Sequence, residues 1–194
     1  MSKYVDKATK TISRYIPPTG KALTAIDYFK AAGSLSAAAI DSVKAKLPIG
    51  STILELGGGM STVILSKDYR VYTVEDNPKW IKELNNVTYI KSPLVKYSTF
   101  FSKEEVWYDP GVLAAELPKS YDAIIVDGPA GSTFSRYGFV EYLHLFNRVP
   151  ILFDDIHAVN VYMVMIETMN KLGLTNCELT NIVNDKAFAW IGLE

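Results

Sequence analysis

The residues best suited to chemistry fall in three short stretches. The first is Glu55-Leu56-Gly57-Gly58-Gly59-Met60-Ser61, an acid followed by three glycines and then a small polar residue. Glycines permit a tight turn and let a ligand approach the backbone, and a helix beginning after them offers unpaired N–H groups. The second is Glu75, twenty residues beyond Glu55, where a carboxylate can accept hydrogen bonds from both hydroxyls of a ribose. Together they point to an adenosine-type cofactor. The third is Asp127 with the pair Asp154-Asp155 and the nearby His157. Three carboxylates brought together repel unless a proton or cation is shared among them, and hard oxygen ligands suit Mg2+ or Ca2+. His157 has an unperturbed pKa near neutrality, which makes it a candidate general base, with Asp127 as the fallback. Each stretch also has an ordinary reading: a turn that binds nothing, an acid favoured at a helix start, a helix-capping aspartate, a structural histidine.

The elements that must hold these residues alternate in type. From residue 51 onward, short β-branched runs are followed by helical patterns, the sequence form of a doubly wound, mostly parallel sheet with helices on both faces. Residues 51–56 (STILEL) read as a first strand that stops at the glycines, and 71–75 (VYTVE) as a second. Asn77 and Pro78 then suit the start of a helix running through Trp80, Ile81 and Leu84 to Asn85 or Asn86. Residues 87–90 read as a third strand, 123–126 (AIIV) as a buried fourth, and 150–153 as a fifth, with a helix near 137–147 before it. The next helix carries Val159, Tyr162, Met163, Ile166 and Met169 at the spacing of one buried face and ends at Gly173. Residues 174–181 and 187–193 have no helix between them and read as an antiparallel hairpin joined near Asn184-Asp185. Strand ends of such sheets are where ligands bind, so all three stretches lie at the expected edge.

With these placements the chain, over roughly residues 51–194, resembles the class I S-adenosylmethionine (SAM)-dependent methyltransferases. The resemblance rests on Glu55-x-Gly57-x-Gly59, the acid ending strand two, Tyr121-Asp122-Ala123-Ile124-Ile125-Val126-Asp127-Gly128-Pro129 at strand four, and the terminal hairpin. It implies a Rossmann-like seven-stranded sheet and a cofactor site of Glu55, Gly57, Gly58, Gly59, Ser61, Glu75 and Asp127. Ser61 stands where many members have a third glycine, and Ser92 where many use an acid to read adenine. Asp127 with Asp154 and Asp155 is similar to the ligand set of metal-dependent O-methyltransferases, which implies Mg2+ as a further cofactor, although Pro129 departs from the usual continuation. The implied activity is O-methylation of a hydroxyl on a small-molecule or sugar-like acceptor. An aminopropyltransferase of the spermidine-synthase type has a similar cadence, but Gly128-Pro129 does not match its strand-four motif. A noncatalytic SAM-binding module is the reading from a different class.

Composition limits the alternatives. The 194 residues are 48% hydrophobic and 21% charged, enough for a real core in one domain and too apolar for a disordered chain. A single cysteine, Cys177, allows no internal disulfide, and no run is long and apolar enough to span a membrane, so a cytoplasmic location is expected. Residues 1–50 carry eight Lys/Arg against three Asp/Glu, so a basic helical cap is expected in front of an acidic core over residues 51–194. That cap would pair with the acidic body or attract an anionic acceptor. The acidic body, and a strand four lacking an Asn/Asp-Pro-Pro-aromatic signature, make a nucleic-acid substrate the less expected partner. Arg136, in the loop after strand four, is a candidate for pairing with a carboxylate or phosphate of the acceptor.

Overall fold

A computed structural model describes residues 35–99, 104–130, 135–180 and 186–193. Nine strands and five α-helices are seen among them. In chain order they are α1 (Ala37–Lys46), β1 (Thr52–Leu56), α2 (Met60–Leu65), β2 (Arg70–Glu75), β3 (Val87–Lys91), β4 (Leu94–Tyr97), β5 (Glu105–Tyr108), α3 (Pro110–Glu116), β6 (Ala123–Val126), α4 (Gly138–Glu141), β7 (Ile151–Phe153), α5 (Val159–Leu172), β8 (Cys177–Leu179) and β9 (Ala189–Ile191). Seven strands form one sheet in the order β3-β2-β1-β6-β7-β9-β8. The five from β3 to β7 are parallel, while β9 runs antiparallel to both β7 and β8. This is the expected doubly wound sheet with its terminal hairpin. The chain leaves β1 to build β2 and β3 on one side and returns to build β6 on the other, so a topological switch point opens between β1 and β6.

Period-two alternation along the central strands divides the core between the two faces. Leu54, Leu56, Ile124, Val126 and Phe153 pack on one face, and Ile53, Ala123, Ile125, Leu152 and Trp190 on the other. Buried on both sides, β6 has no polar residue.

Three elements differ from the sequence expectation. The helix expected after Pro78 is a single 3-10 turn, Pro78–Trp80, followed by extended chain. Only residues 76–86 connect β2 to the parallel β3, and a crossover normally takes a dozen or more, so helix and both turns do not fit. The helix expected near 137–147 is broken into two 3-10 turns around the four-residue α4, with Tyr142 at φ −103° and ψ 23° where it unwinds. Aromatic packing of Phe139 against Phe146 and Phe153, with ring centroids at 4.8 and 5.8 Å, takes precedence over helical regularity there. In α5 the length and the stop at Gly173 agree, but the buried face does not: Val161, Val164, Met165, Thr168 and Met169 face inward, while Val159 and Tyr162 are exposed. Its first three turns are apolar nearly all round, so hydropathy leaves the face open and the sheet decides it. The antiparallel pair β4–β5 and the helix α3 lie in a stretch to which sequence reading gave no element.

Of the basic N-terminal segment, residues 1–34 lie outside the described residues. The part that is described, α1, packs on the sheet face through Ala39, Ile40 and Val43, and its last-turn lysines pair with the acidic body: Lys44 with Asp68 at 2.5 Å and Lys46 with Glu178 at 2.7 Å. Among the described residues, no helix is long and apolar enough to cross a membrane.

Candidate functional site

At the end of β1 the chain turns sharply. Gly57 has a φ of +94°, and a Cβ there would lie 2.7 Å from the Gly128 nitrogen. Gly128, directly after β6, is equally restricted, since its Cβ would fall 2.6 Å from the Tyr108 hydroxyl and 2.7 Å from the Gly57 Cα. Backbone thus passes backbone across the switch point with no room for side chains.

Two glutamates fix this turn from different sides. Glu55 is fully buried beneath it, accepting hydrogen bonds from Ser61 Oγ (2.8 Å), Thr62 Oγ1 (2.5 Å) and Thr73 Oγ1 (2.9 Å). Burial pushes its pKa up to about 7 in spite of those donors. Glu75, at the end of β2, accepts from the Gly58 N–H at 2.6 Å and the Asn77 N–H at 2.7 Å, and burial likewise raises its pKa.

A cavity of about 90 Å³ opens over the turn, lined by Gly57, Gly58, Glu75, Asp76, Asn77, Trp80, Tyr108, Asp127, Gly128 and Ala130. Of the residues expected from sequence for the cofactor, Gly57, Gly58, Glu75 and Asp127 meet in it. Glu55 and Ser61, by contrast, are bonded to each other in the layer behind, and the Gly59 N–H bonds to Thr62 Oγ1 at 3.0 Å. Their contribution is to shape the turn. Asp76, directly after β2, and Trp80, at the end of the 3-10 turn that follows, also line the wall. Tyr108 comes from β5. The β-branched and aromatic run Val106-Trp107-Tyr108 was the signal that could have revealed that strand. The Ser132 and Thr133 of the loop after β6 lie outside the described residues.

Beside the cavity, at the ends of β6 and β7, the three aspartates do come together: one carboxylate oxygen from each of Asp127, Asp154 and Asp155 lies within 4.8 Å of the others. Two cations are built in among them. Arg136 Nη2 bridges Asp127 Oδ1 at 3.3 Å and Asp155 Oδ2 at 3.2 Å, its Nη1 donates to the Asp154 carbonyl at 3.2 Å, and Lys186 Nζ lies 3.7 Å from Asp155 Oδ1 and 3.9 Å from Asp154 Oδ2. Arg136, expected to reach for an anion of the acceptor, instead pairs with the chain's own carboxylates. A divalent ion would have to displace its guanidinium from two of the three candidate ligands, so this donor set does not fit Mg2+ as it stands. Burial and the neighbouring carboxylates push Asp154, whose oxygens have no hydrogen-bond partner among the described residues, up to about 8. Burial also raises Asp127, against the opposing pull of Arg136.

His157 is exposed, and its Nδ1 accepts from the Ala187 N–H at 3.4 Å. A neutral imidazole accepting at Nδ1 carries its proton on Nε2 and presents a donor outward, the opposite of what a base needs. His144, in the turn at Leu143–Leu145, is exposed on the surface.

No family model matches the chain, and no curated protein matches it by sequence. Solved structures do share its architecture. Precorrin 8W decarboxylase of Methanobacterium thermoautotrophicum superposes with a TM-score of 0.58 at 16% identity, over 84% of this chain and 94% of that one. The 16S rRNA N2 G1207 methyltransferase RsmC of T. thermophilus, solved with AdoMet and guanosine, gives 0.52 at 13% identity, over 84% of this chain and 40% of that one. Fibrillarin of Aeropyrum pernix, solved with natively bound S-adenosyl-L-methionine, gives 0.50 at 18% identity, over 79% and 73%. At these identities the likeness is one of fold: the chain shares its Rossmann-like sheet with structures that include SAM-dependent methyltransferases.

Proposed function

Proceeding from that fold, we propose that the protein is a SAM-dependent methyltransferase acting on a hydroxyl of a small-molecule or sugar-like acceptor. The observation that carries this reading is the convergence of a glycine turn, Glu75 and Asp127 on one cavity at the switch point. Gly57, Gly58 and Trp80 would hold the nucleoside, and Glu75 its ribose. Its Oε1 and Oε2 each hold one backbone N–H, and each has a second lone pair for a hydroxyl.

SAM supplies an electrophilic methyl carbon on a sulfonium. In that reaction the methyl would pass to the acceptor oxygen with sulfur keeping the electron pair of the broken bond, so the acceptor hydroxyl would have to lose its proton. We assign the proton to the Asp127 carboxylate, because it lines the cavity and burial raises its basicity. Arg136 keeps it oriented and partly ionised. His157 has the wrong tautomer for the task, and no step requires a metal. The acids Glu75, Asp76 and Asp127 on the wall favour a neutral acceptor over a polyanion such as nucleic acid, although one neighbour in fold is an rRNA methyltransferase.

Calorimetric titration with S-adenosylhomocysteine (SAH) tests the reading. The wild type is expected to bind, and Glu75→Ala to bind roughly tenfold or more weakly through loss of hydrogen bonds to a charged group. Equal affinity in both proteins removes the ribose assignment.

A further inference from the structure

Tyr108 is the last residue of β5, a strand that lies outside the seven-stranded sheet. Its side chain is fully buried with the Trp107 ring edge-on at 5.0 Å, it lines the cavity, and its hydroxyl has no hydrogen-bond partner among the described residues. A buried hydroxyl without a partner costs stability and calls for an explanation, of which a ligand is one. Gly128 supplies the geometry: because it has no Cβ, the hydroxyl can lie against the backbone at the β6 end, where a Cβ would stand 2.6 Å from it. The departure at Gly128-Pro129 from related strand-four motifs therefore makes room for a group delivered by another element.

The charged groups acting on that hydroxyl are Glu75 and Asp76 from the β2 end, and Asp127 and Arg136 from the β6 side. Three of these are carboxylates and one is a guanidinium, so the surroundings of the hydroxyl oxygen favour a cation beside it. We propose that Tyr108 recognises the cationic sulfur of the methyl donor: its hydroxyl oxygen faces the sulfonium and aims the methyl group toward the Asp127 side. This rests on the methyltransferase reading above and deepens it. A residue in this role separates donor from product, because SAM carries the positive charge and SAH does not.

The test is Tyr108→Phe, with SAM and SAH titrated against both proteins and melting recorded without ligand. Affinity for SAM is expected to fall roughly tenfold while affinity for SAH changes less than about twofold. The ligand-free variant is expected to melt no lower than the wild type, since the lost hydroxyl had no partner. Equal losses for the two ligands, no loss for either, or a lower melting temperature without ligand would each overturn the assignment. Wild-type protein that binds neither ligand would instead overturn the methyltransferase reading itself.

Discussion

Two clusters of buried acids flank the switch point, and they are stabilised in opposite ways. At the β1–β2 end, Glu55 and Glu75 are surrounded by neutral donors: three hydroxyls for one and two backbone amides for the other. At the β6–β7 end, Asp127, Asp154 and Asp155 are balanced by the charges of Arg136 and Lys186, and the Asp154 oxygens accept no hydrogen bond among the described residues. Short-range hydrogen bonds fix a geometry, whereas charges at 3 to 4 Å fix a balance that a proton or an ion can upset. The first cluster is thus built to hold a turn, and the second to change state.

The largest effect that separates them is expected from Arg136→Ala. It leaves buried carboxylates without their counter-charge and should cost about 3–5 kcal/mol in denaturant unfolding. The vacated centre should then gain stability from millimolar Ca2+ or Mg2+, while the wild type does not. A variant as stable as the wild type, or one indifferent to divalent ions, would break the claim that the guanidinium holds the place of a cation.

An intermediate effect comes from neutral isosteres. Folded Glu55 holds its proton to about pH 7 against an ordinary 4.5, and Asp154 to about 8 against 3.8. For an acid raised on folding, the stability it contributes is complete below its unfolded pKa and is lost as pH rises through its folded pKa. Melting temperature should therefore fall between pH 4.5 and 8, and both Glu55→Gln and Asp154→Asn should flatten that fall. The two variants should part at pH 8. Asp154→Asn gives up no hydrogen bond and should be neutral or stabilising. Glu55→Gln leaves three hydroxyl donors sharing one carbonyl oxygen and should be less stable by about 1 kcal/mol than Asp154→Asn. Identical behaviour would erase the distinction between the clusters.

The smallest expected effect is none. Excess EDTA should leave methyl transfer unchanged, because Arg136 and Lys186 already supply the positive charge. A strong loss of activity would return the three aspartates to the role of metal ligands.

Much of the sheet is legible in the sequence because its signals are local. Each parallel strand is a short β-branched run, the glycine turn is marked by residues that few other conformations demand, and the terminal antiparallel pair by two strand-like runs with no helix between them. The face of α5 is not legible, since an almost uniformly apolar stretch carries no preferred side. The same limit applies to Trp80, whose place on the cavity wall depends on a crossover too short for a helix.

Residue types and their spacing put acids and glycines at the ends of successive strands, and hence a cavity at one edge of a parallel sheet. What those acids face depends on the packing of the folded chain. Glu55 went behind the turn, because period-two alternation points it to the opposite face from Leu54 and Leu56. Arg136 came to rest among Asp127 and Asp155, and Tyr108 arrived from a strand outside the main sheet. Pairings of this kind span 9 to 20 residues or more, and they are set by which chain segments the packed sheet brings together rather than by the pattern within any one of them.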